Sequence, residues 1–368
     1  LKPFWLKLET SCASALHLRT LSAMGQQICK DCKVFPHNER QCEKETKGCH
    51  HRLMHSAHMT VNWSDSIKHE PHSMDLYREY QGLLEGVGAQ YASLGGGFKQ
   101  GDCLLIVDMQ NDFIPKAQAP DGGRFGVAEG ASAMIPIADM VRKAAAAQAL
   151  IVATRDYHPK THCSFVENQG PFPSHCIQGS KGSFLYGPTK AVLSEVRDQG
   201  AEVMIAFKGF HPGCDSFGGL QYGPGYFNER HLGNELGTQP TDELNGCCAL
   251  EWTGGFALTC SNIEEDLDAH PDVLAVLDRQ TLAEILQEHA VKRLFVCGLA
   301  LDFCVLDSSL NAATAGLAKD GVFLVTDAAR AAHIPDIGTF GSGFLSDPAS
   351  VVNKTKVAGV KLIRSDAI

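Results

Sequence analysis

The chain has 368 residues, 44% of them hydrophobic, and 42 Asp and Glu against 32 Lys and Arg give a formal charge of −10. This is a globular composition, too apolar for disorder, and it contains no apolar run of the roughly 18 residues that a membrane-spanning helix needs. An acidic surface also repels nucleic-acid phosphates and anionic lipid, so neither nucleic acid nor membrane is expected as a partner.

Residues 1–70 differ from the rest. They hold seven of the 16 His, five of the 14 Cys, and ten Lys and Arg against seven Asp and Glu, with no sustained apolar period. They read as an N-terminal extension, disordered or a leader, whose first 30 residues are transit-like in composition. Cys29, Cys32, Cys42 and Cys49 also offer four thiols for a zinc knuckle, the mark of a metal-dependent interaction protein, although the spacing is irregular and apolar support is scant. Cysteines in so long a chain fit a reducing compartment, and the cytosol is the expected location.

Residues 71–100 carry a helix and a Gly-rich linker: Ser73 is placed to cap, Leu76, Tyr80, Leu83, Leu84 and Val87 recur at three and four, and Gly95-Gly96-Gly97 breaks the chain. Within 101–368, apolar runs then alternate with helical periods. Strands are predicted at Cys103–Asp108, Ala149–Thr154, Val203–Phe207, Arg293–Cys297, Val322–Thr326 and Val360–Ile363. Helices are predicted around Ala131–Ala147, Thr189–Gln199, Thr281–His289, Phe303–Ala318 and Pro348–Val357. Continuously apolar strands joined by helices imply a three-layer, doubly wound, mainly parallel α/β sheet. A Gly-rich insertion at about 210–272 interrupts the alternation, and its length implies short elements of its own and a role as lid or subunit contact.

In such sheets ligands bind beyond the carboxyl ends of the strands. The first strand ends at Asp108. The second runs into Asp156-Tyr157-His158, with His162 after a Pro turn and His175 further on, and one Asp with several imidazoles suits zinc, iron or manganese with open positions. The third ends at Lys208. The fourth leads to Cys304 where a helix begins, and the positive end of a helix lowers a thiol pKa and favours thiolate. Each signal alone has a bland explanation, such as a capping Asp, a surface loop, a solvated strand end or an inert buried thiol. Their succession at one sheet edge does not.

The segments Val107-Asp108-Met109-Gln110-Asn111-Asp112-Phe113, Thr154-Arg155-Asp156-Tyr157-His158-Pro159, His162-Cys163-Ser164-Phe165, Pro173-Ser174-His175-Cys176, Phe207-Lys208-Gly209 and Gly298-Leu299-Ala300-Leu301-Asp302-Phe303-Cys304-Val305 resemble, in this order, the isochorismatase-like cysteine hydrolases and within them the nicotinamidases. The likeness covers about 101–363 apart from the insertion. It implies a catalytic triad of Asp108, Lys208 and Cys304, an oxyanion hole from the N–H groups of Ala300 and Cys304 across a cis Leu299–Ala300 peptide, and a metal held by Asp156, His158 and His175, with His162 a further ligand or one acting through water.

Zinc is the expected metal, with iron or manganese as alternatives. Phe113 and Phe172 would flank a pyridine ring, Phe172 standing where the family usually has Trp. The implied reaction is hydrolysis of nicotinamide to nicotinate and ammonia through a Cys thioester. The closest rival is an amidase of the same superfamily acting on a carbamoyl or ureido compound, which the metal site argues against because a ring nitrogen gives the metal something to bind. Oligomeric state is open, and a homo-oligomer is compatible with the sequence.

Overall fold

The computed structural model describes residues 73–119, 121–209, 212, 215–222, 248–251 and 281–368. Every described element belongs to one compact unit, Arg52–Ile368. The expected N-terminal extension, the Cys29–Cys49 cluster and most of the 210–272 insertion lie outside the described residues. Among the described residues no helix is long and apolar enough to cross a membrane.

Strands β1 (Asp102–Val107), β2 (Leu150–Asp156), β3 (Val203–Lys208), β4 (Cys248–Glu251), β5 (Arg293–Leu299), β6 (Gly321–Arg330) and β7 (Lys361–Ile363) form one sheet in the order β4-β3-β2-β1-β5-β6-β7. Six strands run parallel, and β4, from the insertion, adds an antiparallel edge against β3. The helices are α1 (Asp75–Gly86), α2 (Met134–Ala146), α3 (Gly187–Asp198), α4 (Leu282–Glu288), α5 (Leu306–Thr314) and α6 (Pro348–Ala358).

Alternate side chains of each strand build two separate cores, as the two-residue period demands. Leu104 and Ile106 of β1 join Ile137, Met140 and Val141 of α2 and Val192, Leu193 and Val196 of α3 on one face. Cys103, Leu105 and Val107 join Leu76, Tyr80 and Leu84 of α1, Leu286 of α4, Leu310 of α5 and Val351 of α6 on the other. All six residues of β1 and all seven of β2 are buried, which explains the continuous apolar runs. The expected three-layer α/β architecture is thus present.

The chain leaves β1 to one side toward β2 and β3 and later returns on the other side as β5, so the β1/β5 boundary is the topological switch point where a crevice opens. Gly298 makes the close pairing there possible. At φ +114 it faces β1 so tightly that a Cβ would stand 2.0 Å from the Val107 carbonyl oxygen.

Three expectations are revised. Ser73 is one residue before the Ncap position, and its Oγ accepts the Asp75 N–H at only 3.3 Å while its hydroxyl donates to Glu129 Oε1 at 2.7 Å. Buried Glu129 does most of the capping, accepting the N–H groups of Leu76 (3.0 Å) and Tyr77 (2.9 Å), with Arg330 Nε 3.9 Å away. A carboxylate 53 residues downstream in sequence adds to the local cap, which no local pattern could announce. Glu129→Gln should therefore cost about 2–4 kcal/mol, because an amide group would turn donors toward donors and leave buried Arg330 without that charge. Urea unfolding measures this, and an unchanged midpoint would mean the cap is dispensable.

The helix expected over Phe303–Ala318 is shorter. A π turn at Leu301–Val305 precedes α5, which stops at Thr314. The strand expected at Val322–Thr326 extends to Arg330, and after a register shift its end pairs Ala329 and Arg330 with Gly298 and Leu299 of β5.

Candidate active site

Four strand ends deliver the reactive groups. Beyond β1, Asp108 is held at φ 51, a left-handed backbone conformation that costs a non-glycine residue about 1 kcal/mol or more. Thr154 of β2 fixes it: its hydroxyl accepts the Asp108 N–H at 3.0 Å and donates to Asp108 Oδ1 at 2.6 Å. Lys208, the last residue of β3, lies with Nζ 2.9 Å from Asp108 Oδ2, donates to Asp156 Oδ1, and stands 3.7 Å from Cys304 Sγ. Asp108, Asp156 and Cys304 each offer an atom within 4.8 Å of the other two. All four side chains are buried, between 0% and 6% exposed, so water screens none of these interactions appreciably.

The protonation states follow from this crowding. Burial pushes the Asp108 carboxyl up to about 6, opposed chiefly by the Lys208 ammonium. Burial works on Asp156 too, but Lys208 and His158 outweigh it and hold that carboxyl well below the usual range. Lys208 loses hydration, yet the two carboxylates raise its pKa well above the ordinary value, so it stays an ammonium ion.

Cys304 departs from expectation. Burial first, then Asp108 and Asp156, raise the thiol well above its ordinary pKa, with Lys208 opposing. The thiol sits in the π turn ahead of α5, boxed by carboxylates, and the helix-end effect that argued for a resting thiolate is overridden. At rest Cys304 is a neutral thiol beside an acceptor.

Next to this cluster, Asp156, His158 and His175 bring three ligand atoms within 4.8 Å of one another. The donor set fits a divalent ion on an observation of its own. His158 Nδ1 is 2.6 Å from the Gly209 carbonyl oxygen and His175 Nδ1 is 2.7 Å from that of Pro173, so each Nδ1 must donate and in the neutral ring the lone pair lies on Nε2. Burial holds His175 neutral, with its pKa down to about 3. For His158 burial is outweighed by Asp156, which raises its pKa, so a metal there displaces a proton. Gly209, at φ +66, permits the close approach: a Cβ would meet the His158 ring at 2.5 Å.

His162 is buried but grouped differently. Its Nδ1 lies 2.7 Å from Ser164 Oγ, and its ligand atom clusters with those of His158 and Asp215, not with His175. Asp215, buried and with its pKa raised to about 6 by burial, comes from the insertion, and nothing in its local sequence marked it.

Gln110 also belongs to the site: its amide donates to the Asp156 carbonyl at 2.8 Å and accepts the Asp156 N–H at 2.7 Å, clamping the backbone of Asp156. Asp112 accepts the Cys176 N–H at 2.7 Å and so ties down the residue after His175. The polar character of Gln110 and Asp112 just beyond a buried strand was the available signal.

Asp156, His158, His175, Ala300 and Cys304 line one cleft with Phe113 and Phe172, as expected, and with Phe125, Phe217, Phe303 and His333, which were not. Phe125 stacks on His175 with ring centroids 4.8 Å apart and 18° between planes. The Leu299–Ala300 peptide is cis. The cleft is narrow, with about 40 Å3 open to the centre of a water molecule.

The isochorismatase domain model matches residues 102–196. The nicotinamidase of Acinetobacter baylyi is 26% identical over 244 residues, 62% of this chain and 80% of that protein. The nicotinamidase of Saccharomyces cerevisiae is 25% identical over 213 residues, 58% and 82% respectively. Among solved structures, PnC1 from L. infantum in complex with nicotinate is 25% identical, covering 74% of this chain and 98% of that one with a TM-score of 0.45.

Proposed function

We propose that the chain is an isochorismatase-like hydrolase and a nicotinamidase, hydrolysing the carboxamide of nicotinamide to nicotinate and ammonia in NAD salvage, a reading supported by the domain match at 102–196 and the nicotinamidase relatives. The observation that carries this reading is the ammonium of Lys208 set among Asp108, Asp156 and the Cys304 thiol, beside an aromatic cleft with metal-ligand imidazoles.

In the proposed mechanism Cys304 passes its thiol proton to Asp108 as Sγ attacks the carboxamide carbon. The N–H groups of Ala300 and Cys304 receive the oxyanion. Asp108 returns the proton to the leaving nitrogen, the C–N bond breaks, and ammonia departs from a thioester on Cys304. Asp108 then takes a proton from water as its oxygen attacks the thioester, and gives it back to the departing thiolate. Nicotinate leaves and the resting thiol is restored. Lys208 keeps its proton throughout, and its charge makes an ionised Asp108 tolerable in so buried a place.

Asp156, His158 and His175 would hold the divalent ion, zinc foremost with iron or manganese as alternatives, and His162 is proposed as a further ligand or one acting through water. When bound there, the ion supplies a Lewis-acidic position for the pyridine nitrogen, which orients the ring. Phe113 and Phe172 pack against the ring.

Ammonia release tests this directly. Nicotinamide and pyrazinamide should be turned over and a ureido compound should not, and a chelator should suppress the reaction until zinc, iron or manganese is restored. Preference for the ureido compound would transfer the chain to the rival amidases. In the same assay kcat/KM should fall on the acid side with an apparent pKa near 6: protonation of Asp108 removes the acceptor for the thiol proton, so activity is lost as pH falls through that value. A flat profile from pH 5 to about 8 would exclude Asp108 as the base.

A further inference from the structure

A second cavity, of about 420 Å3, shares no lining residue with the thiol and imidazole cleft. Its floor is Arg155, the neighbour of Asp156 on β2. Successive strand residues face opposite ways, so Asp156 serves the cleft while Arg155 turns to the other side of the sheet end.

The Arg155 side chain is unusual for its isolation. It is 2% exposed, and it makes no ion pair with a carboxylate among the described residues. Its Nε donates to the Ser183 carbonyl at 2.8 Å and its Nη2 to the Ser183 hydroxyl at 3.3 Å, while Tyr157, Phe184 and Phe207 offer ring faces 5.1–5.6 Å from the guanidinium carbon. Nη1 makes no hydrogen bond among the described residues. A buried charge held only by dipoles and rings calls for an anion.

The rest of the cavity agrees. Lys190 in the first turn of α3 adds a second cation, and the one lining acid, Asp121, is already paired with Lys181 at 3.2 Å. Gln118 also lines the cavity, and its amide oxygen makes no hydrogen bond among the described residues; its NH2 group is the part that can donate to an anion. Phe184 and Tyr186 supply aromatic wall. Burial draws the Arg155 pKa down to about 10, so the side chain remains charged at neutral pH.

We propose that this cavity is a second small-molecule site for a compact monocarboxylate with an aromatic or apolar body, its carboxylate meeting the free edge of Arg155 and the Lys190 ammonium, and its body lying against Phe184 and Tyr186. A planar guanidinium matches a carboxylate in two parallel hydrogen bonds, and the aromatic wall of Phe184 and Tyr186 suits an apolar body better than a second charged group. The assignment does not depend on the reaction at Cys304.

Calorimetric titration of the full chain with benzoate, which has no ring nitrogen for a metal, tests it. Benzoate should bind saturably at one site per chain. Lys190→Ala and Gln118→Ala should each weaken binding by about threefold or more and Arg155→Met by at least about tenfold, while ammonia release by the Lys190→Ala and Gln118→Ala proteins stays at its unliganded rate. If Arg155→Met fails to fold, the other two variants still decide. No saturation by about 10 mM benzoate, the same affinity in both of those variants, or inorganic phosphate binding at these residues more tightly than benzoate would each overturn the proposal.

Discussion

Replacing Cys304 by alanine should abolish ammonia release from nicotinamide, with a loss of at least about 10^4-fold in kcat, while metal content and thermal stability stay close to those of the unaltered protein. The size of the loss follows from covalent catalysis. Without sulfur there is no thioester route, and Asp108 would have to activate water across a gap left by the missing atom. Retention of the metal follows from the geometry, since Asp156, His158 and His175 hold their positions through Lys208, Gly209 and Pro173 rather than through the thiol. Elemental analysis beside the kinetic assay separates the two effects. Undiminished ammonia release would remove Cys304 from the mechanism, and loss of metal together with activity would make the thiol a structural part of the ligand cage.

Lys208→Met should be more damaging to the fold than any other single change in the site. It leaves two carboxylates, Asp108 and Asp156, with atoms within 4.8 Å of each other and no cation between them. Uncompensated buried charge of this kind costs about 3–5 kcal/mol, and the protein can reduce the cost only by protonating one acid. Asp108 is the one to protonate, because burial has already raised it to about 6 and its main opposing influence is the charge that has been removed. Activity at neutral pH should therefore fall by about 10^3-fold or more for want of a base, and denaturant unfolding should show the lost stability. The double variant Asp108→Asn with Lys208→Met should regain much of the stability and none of the turnover. Recovery of activity, or a Lys208→Met protein as stable as the parent, would show that the ammonium is not what holds these carboxylates together.

Much of this site is legible in one dimension because its chemistry follows the strands. Asp108, Asp156, Lys208 and Cys304 come at or just beyond the ends of four parallel strands, and in a doubly wound sheet those ends share an edge. The apolar runs that mark β1, β2, β3 and β5 thus located the reactive groups as well as the core. What escaped notice lay in loops or acted across long sequence separations. Asp215 belongs to an insertion without periodicity, Phe217 and Phe303 reach the cleft from separate segments, and Glu129 caps a helix 53 residues before it. The thiol is the instructive case. A cysteine near a helix start argues for thiolate only while its other neighbours are unknown, and here burial with two carboxylates reverses the sign.

The sequence by itself determined the layered α/β architecture, the strand ends that carry acid, amine and thiol, and the imidazole-rich segment after β2. These depend on residue type and on periods of two and 3.6, which are local properties. Only the tertiary structure decided the charge states of Asp108 and Cys304, the separation of His162 from the Asp156, His158 and His175 group, and the turning of Arg155 away from that group into a cavity of its own. Those outcomes rest on desolvation and on distances of a few ångströms between residues far apart along the chain, and both come into being only when the sheet closes over them.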